Sequence, residues 1–305
     1  MRSSNRISIL RSGPDFGSGY KIRSITSAFE QDVAQAAACP GASLLQCSRM
    51  DESFTFKDTQ GHRISAVLSC PRQPAKAAVV LCHGFLSSKN STTNKALTRM
   101  LNDAGIAAFR FDFFGQGESE GLFEDITVSH AVGQAQAALT HAQSRGYERL
   151  GLMGSSFGGL VAILAAAQRR ELACLALKCP VVDFAEELRL EFGPGELARW
   201  QSTDTIPNLM GGAGRVRLKY ALFEDCLRNI AYEPASRIVA PTLIVQGACD
   251  ELVPLHQSQR LLEALRGPKR LDLLPEADHQ FTRAEDFRTM TVAIAEWLAG
   301  HLTNA

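Results

Sequence analysis

The chain reads as an α/β fold with a mostly parallel central sheet and helices on both faces. Three observations predict it. From about residue 53 onward, short apolar runs alternate with longer stretches of helical periodicity, the pattern of strand-helix-strand units. Two of the earliest runs flank a tight turn and so predict antiparallel strands at the start. The polar, glycine-bearing clusters all follow strands, at the sheet edge where ligands bind in such folds.

The elements follow in order. Phe54 to Lys57 and Arg63 to Cys70 flank Asp58-Thr59-Gln60-Gly61, a hairpin signal. Ala77 to Leu81 is a buried strand, followed by a helix over Thr92 to Ala104. Ile106 to Phe111 is a strand, Gly115 to Gly121 a loop and Thr127 to Arg145 a helix. Leu150 to Met153 and Leu172 to Leu177 are strands on either side of a helix over Phe157 to Arg169. Residues 184–232 break the alternation. They are mostly polar, contain Gly193-Pro194-Gly195 and Gly211-Gly212, and predict helical pieces without a strand, an insertion able to cover the sheet edge as a small helical lid. Thr242 to Gln246 and Leu271 to Leu274 resume the sheet, with helices over Gln257 to Leu265 and Phe287 to Leu302.

Residues 1–50 differ in character. Residues 1–28 carry Arg2, Arg6, Arg11, Lys21 and Arg23 against the single acid Asp15, which fits a flexible basic extension or an organelle-targeting segment. Residues 29–37 predict a short helix stopped by Cys39-Pro40-Gly41. The expected organisation is thus a basic extension over 1–50 and one domain over 51–305, with the insertion at about 184–232. The net charge of zero gives no field to recruit nucleic acid, and no apolar run is long enough to span a bilayer. The cysteines, Cys39, Cys47, Cys70, Cys82, Cys174, Cys179, Cys226 and Cys249, form no C-x-x-C pair. That argues against a zinc site and for a reducing, cytoplasmic setting. The oligomeric state is left open.

The chemistry starts at Gly154-Ser155-Ser156-Phe157-Gly158, a G-x-S-x-G sequence between a strand and a helix. Such a turn thrusts the serine hydroxyl out at the top of the sheet. Only Ser156 has glycines at both required positions, so it is the candidate nucleophile. A serine hydroxyl needs a general base, and histidine titrates nearest neutrality. Of seven histidines, His62 lies in the hairpin, His130 and His141 inside a helix, His256 at a helix start and His301 near the end. His83 precedes Gly84 in the loop after the strand 77–81. His279, between the last strand and the last helix, sits at the right edge. Asp250, just beyond the strand 242–246, is the preferred carboxylate to orient it, with Asp183 as competitor; Glu251 is expected to point away. An oxyanion formed at Ser156 would be met by the Phe157 amide at a helix start and by the Phe85 amide next to Gly84.

With His83-Gly84-Phe85, Gly154-Ser155-Ser156-Phe157-Gly158-Gly159, Asp250 and Asp278-His279 in this order, the chain from about residue 53 resembles serine hydrolases of the α/β-hydrolase fold. Arg110 to Ser119 and Phe123 to Thr127 are similar to the cinnamoyl/feruloyl esterase branch, although Gln116 stands where that branch has histidine. The resemblance implies hydrolysis of a small-molecule carboxylic ester through an acyl-enzyme, with neither cofactor nor metal. Thioesterases, lipases, amidases or peptidases and acyltransferases share the same three side chains, and a non-catalytic ligand-binding member is the reading from another class. Leu86, Phe113, Phe114, Leu152 and lid residues around Phe192 and Trp200 are candidates to line an apolar pocket.

Overall fold

The computed structural model describes residues 22–23, 50–208 and 214–303. The expected helix over 29–37 lies outside the described residues, as do Cys39 and Cys47. Within the basic N-terminal segment, Ile22–Arg23 (β1) is assigned as a two-residue strand at one edge of the sheet.

The antiparallel start is as the sequence predicts. Met50–Lys57 (β2) and Arg63–Cys70 (β3) pair around a turn in which Asp58 Oδ1 accepts the main-chain N–H groups of Gln60 and His62, both at 2.9 Å. Ala77–Cys82 (β4) is buried along its whole length. Thr92–Asp103 (α1) starts at Ser91, whose side chain accepts the Asn94 N–H, and returns the chain to Ala107–Phe111 (β5). Val128–Ser144 (α2) is capped in the same way by Thr127 and leads to Arg149–Ser155 (β6). Phe157–Ala166 (α3) is apolar and buried throughout, and Cys174–Lys178 (β7) follows.

After the insertion come Thr242–Gly247 (β10), Leu255–Ala264 (α7), Lys269–Leu274 (β11) and Ala284–Thr303 (α8). Among the described residues the main sheet has nine strands in the order β1-β11-β10-β7-β6-β4-β5-β3-β2. The β2–β3 and β3–β5 pairs are antiparallel and the others parallel. Two apolar layers hold it: α2 and α3 with Phe109, Phe111 and Leu152 on one face, α1 and α8 with Leu97, Leu101 and Ile294 on the other. Strands buried on both faces explain why these runs lack alternation.

The insertion departs from expectation. Phe184–Thr203 (α4) continues through the Gly193-Pro194 pair with a kink, Gly193 taking φ 65° and ψ 173°. Thr205–Pro207 (β8) and Arg215–Arg217 (β9) then form an antiparallel ribbon, so the segment does contain strand. Ala221–Arg228 (α5) and Tyr232–Ala235 (α6) complete it. The ribbon was hidden because its strands are short and polar and are set by tertiary packing. Trp200 is fully buried in this unit against Phe192, Tyr220 and Phe223, and its indole N–H donates to the Leu218 carbonyl. It is lid core, not pocket lining.

Candidate active site

The loops after β4, β6, β7, β10 and β11 leave the same sheet edge. The sharpest of these turns is at Ser156, which takes φ 53° and ψ −120° between β6 and α3. A non-glycine residue pays for such a conformation in strain, of order 1–3 kcal/mol, and keeps it only if its surroundings enforce it. The surroundings are very close: a Cβ on Gly154 would lie 2.2 Å from the Gly158 carbonyl oxygen, and one on Gly158 would lie 2.3 Å from that of Cys82. Both contacts are with backbone that cannot step aside. Gly158→Ala is therefore expected to destabilise the protein by about 3 kcal/mol or more, read as a fall in the denaturant midpoint. A midpoint within error of the wild type would contradict the packing described.

His279 lies in the turn after β11, only 2% exposed. Its Nδ1 meets the Asp250 carboxylate at 2.8 Å and 3.0 Å. Asp250 also accepts the Leu252 and Val253 N–H groups, at 3.0 Å and 2.8 Å, and the Gln246 side-chain amide at 2.9 Å. Burial works to raise the Asp250 pKa, but the His279 and Val253 hydrogen bonds outweigh it and hold the carboxyl below its usual range. With Nδ1 engaged, Nε2 is the nitrogen left for a proton from elsewhere. Asp183, the competing acid, instead caps α4 by accepting the Glu186 N–H at 2.9 Å. Glu251 does not point away: its carboxylate accepts the His279 main-chain N–H at 3.2 Å.

Ser156 and His279 line one cavity of about 780 Å³, together with Phe85 and Phe157. The loop carrying Phe85 is fixed by His83. Its Nε2 accepts the Phe113 N–H at 3.1 Å, so Nδ1 carries the proton and donates to the Gly84 carbonyl at 2.7 Å. In a trans peptide the Phe85 N–H then points opposite to that carbonyl. Burial pushes His83 down to about 4, which keeps the ring neutral and this tautomer in place. The Phe157 N–H belongs to the first turn of α3, where amides have no helical acceptor.

The lid wall comes from α4, through Phe184, Glu187, Leu188 and Glu191. Leu86 lines the cavity as expected, whereas Phe113 and Leu152 are core residues and Phe114 faces a separate cavity of about 360 Å³. Neither Phe192 nor Trp200 reaches the site. Glu187 and Lys178 are cavity residues that sequence reasoning missed. The helical spacing of Glu187 and Glu191 was the available signal for one, but nothing in an apolar strand announced the other.

Glu187 Oε2 is buried without a hydrogen-bond partner. Burial, reinforced by the negative charges of Glu191 and Asp250, raises its carboxyl well above the usual range. For an acid with a raised folded pKa, stability declines as pH climbs from the unfolded value through the folded one. Glu187→Gln is thus expected to melt higher than the wild type at pH 8, with the gap closing near pH 4. Equal melting temperatures at both pH values would contradict this.

Cys179 Sγ, an Asp250 oxygen and a His279 ring nitrogen lie within 4.8 Å of one another and offer three donor atoms of types that bind metals. Burial pushes the Cys179 thiol up, and Asp250 and His279 are already bonded to each other, so this donor set fits a metal ion poorly.

Comparisons with known proteins agree with this architecture. Residues 73–210 match the Hydrolase_4 family model, described as serine aminopeptidase, S33. YfhR of Salmonella typhi is 26% identical over 230 residues, covering 75% of this chain and 74% of that protein. Rv2307c of Mycobacterium tuberculosis is 26% identical over 221 residues, covering 72% and 69%. A putative hydrolase from Agrobacterium vitis S4 superposes with a TM-score of 0.72 at 25% identity, over 82% of this chain and 100% of that one. Est1E from Butyrivibrio proteoclasticus, with ferulic acid bound, gives 0.71 at 23% identity, over 81% and 98%. With this sheet, this serine turn and these likenesses, the chain has the α/β-hydrolase fold. No helix among the described residues is long and apolar enough to cross a membrane.

Proposed function

We propose that the protein is a serine hydrolase that cleaves small-molecule carboxylic esters through an acyl-enzyme. The observation that carries this reading is His279, bonded to Asp250 at 2.8 Å and lining one cavity with a serine held at φ 53°. His279 Nε2 takes the Ser156 proton as Oγ attacks the ester carbonyl, and Asp250 stabilises the imidazolium that forms. The Phe85 and Phe157 amides receive the oxyanion, each such donor contributing about 3–4 kcal/mol in comparable sites. The imidazolium then gives its proton to the departing alkoxide. Water repeats the sequence on the acyl-enzyme and frees the acid and Ser156.

Phe85, Phe157 and Phe184 stand with ring centroids 5.5 Å apart beside the serine, an apolar wall suited to an aromatic or branched acyl group. The ferulic acid held by Est1E supports the same choice. The family model's description as an aminopeptidase favours a second reading, in which the leaving group is an amine. A panel of p-nitrophenyl esters, an aryl ester, a thioester and aminoacyl anilides separates these. Turnover of esters with an apolar acyl group, well above that of the anilides, is expected. Faster anilide cleavage would favour the peptidase, and no turnover of any member would favour a binding protein.

A further inference from the structure

Lys178 closes β7 among apolar residues, is 3% exposed and lines the cavity. A buried ammonium is costly, and an apolar side chain would finish the strand without that cost. Its Nζ donates to the main-chain carbonyl of His279 at 2.7 Å and stands 5.2 Å from the centroid of the Phe281 ring. Its own carbonyl accepts the Ser156 N–H at 2.9 Å. In the sheet it is paired with Ser155 on β6 and with Val245 on β10, the strand that leads to Asp250. One residue therefore joins the turn of the candidate nucleophile, the strand of the acid and the loop of the base.

The loop of the base needs such a link. His279 lies in a turn, outside the sheet ladders, so its main-chain groups are secured by side chains. Its N–H is held by the Glu251 carboxylate and its C=O by the Lys178 ammonium. We infer that Lys178 is a positioning residue, clamping the His279 main chain so that the imidazole keeps its place relative to Ser156. This rests on the reading of Ser156, His279 and Asp250 given above. The alternative, that Lys178 reads a negative charge on the substrate, is less favoured because Asp250, Asp278 and Glu251 already act on its charge.

The test compares Lys178→Met and Lys178→Arg with the wild type on a neutral p-nitrophenyl ester and on one bearing a terminal carboxylate. Lys178→Met is expected to lower kcat on both by about 10- to 100-fold, with KM changing less than about threefold, because a misplaced base slows the chemistry without weakening binding. Unchanged kcat on both esters would overturn the inference. So would a KM increase confined to the carboxylate ester.

If Lys178→Met fails to fold, the pH profile of Lys178→Arg decides. Burial pushes the Lys178 ammonium down, while Cys179, Asp250, Asp278 and Glu251 press it back up, and the net direction is down. Wild-type kcat is expected to decline on the alkaline side as Lys178 gives up its proton and its charge-assisted bond weakens. The arginine variant keeps its charge and should lack that decline. An identical alkaline decline in both proteins would overturn the inference. Hydrolysis that survives loss of Ser156 would instead mean that the underlying catalytic reading has failed.

Discussion

Replacing Ser156 with alanine is expected to lower kcat for a p-nitrophenyl ester by about 10⁴- to 10⁶-fold, the range seen when a serine nucleophile is removed from comparable sites. The fold should survive. The substitution removes one hydroxyl from a half-buried side chain, and the residues that enforce the turn, Gly154 and Gly158, are untouched. Relief of strain is not expected either, because alanine at φ 53° carries the same Cβ as serine. Kinetics and a thermal melt on the same preparation check both points. A melt near the wild-type temperature with activity within tenfold of wild type would place the chemistry on another group.

Changing Asp250 to asparagine should lower kcat by about 10⁴-fold with little disturbance of the loop. The amide keeps an oxygen for the Leu252 and Val253 N–H groups but offers an N–H to His279 Nδ1, which favours the wrong tautomer and withdraws the charge that steadies the imidazolium. The stability effect carries a pH signature. A carboxyl with a lowered folded pKa contributes stability above its unfolded value and loses it as pH falls through the folded value. The wild type should therefore be more stable than the variant at neutral pH, with the gap closing in acid. Unfolding curves at pH 7 and pH 3 check this. A gap of equal size at both would assign the difference to packing instead of charge.

Much of the candidate site is legible in the sequence, because sheet topology sends particular segments to one edge. The continuous apolar runs around Val79, Leu152 and Leu175 mark strands buried on both faces, and the residues just after them must emerge together. That logic singled out Ser156, Asp250 and His279 and the loop at His83-Gly84-Phe85. It failed where position depends on the phase of a helix or the reach of a side chain. Phe113 follows a strand like the others, yet its ring turns into the core against Phe111 and Phe157. Glu251 reads as a neighbour facing away from Asp250, but the turn brings its carboxylate back to the His279 amide. Lys178 is the least legible, since a lysine at the end of an apolar strand normally snorkels to water. Here the turn of His279 folds over it and supplies an acceptor.

The convergence of Ser156, His279 and Asp250 is tested most directly by fluorophosphonate labelling followed by peptide mapping, in the wild type and in His279→Ala. The probe reacts only with a serine whose proton has somewhere to go. Expected is a single adduct on the peptide that contains Ser156, with labelling at least 100-fold slower in His279→Ala, in line with the loss of a general base. An adduct on a different residue, or equal labelling rates in the two proteins, would contradict the arrangement.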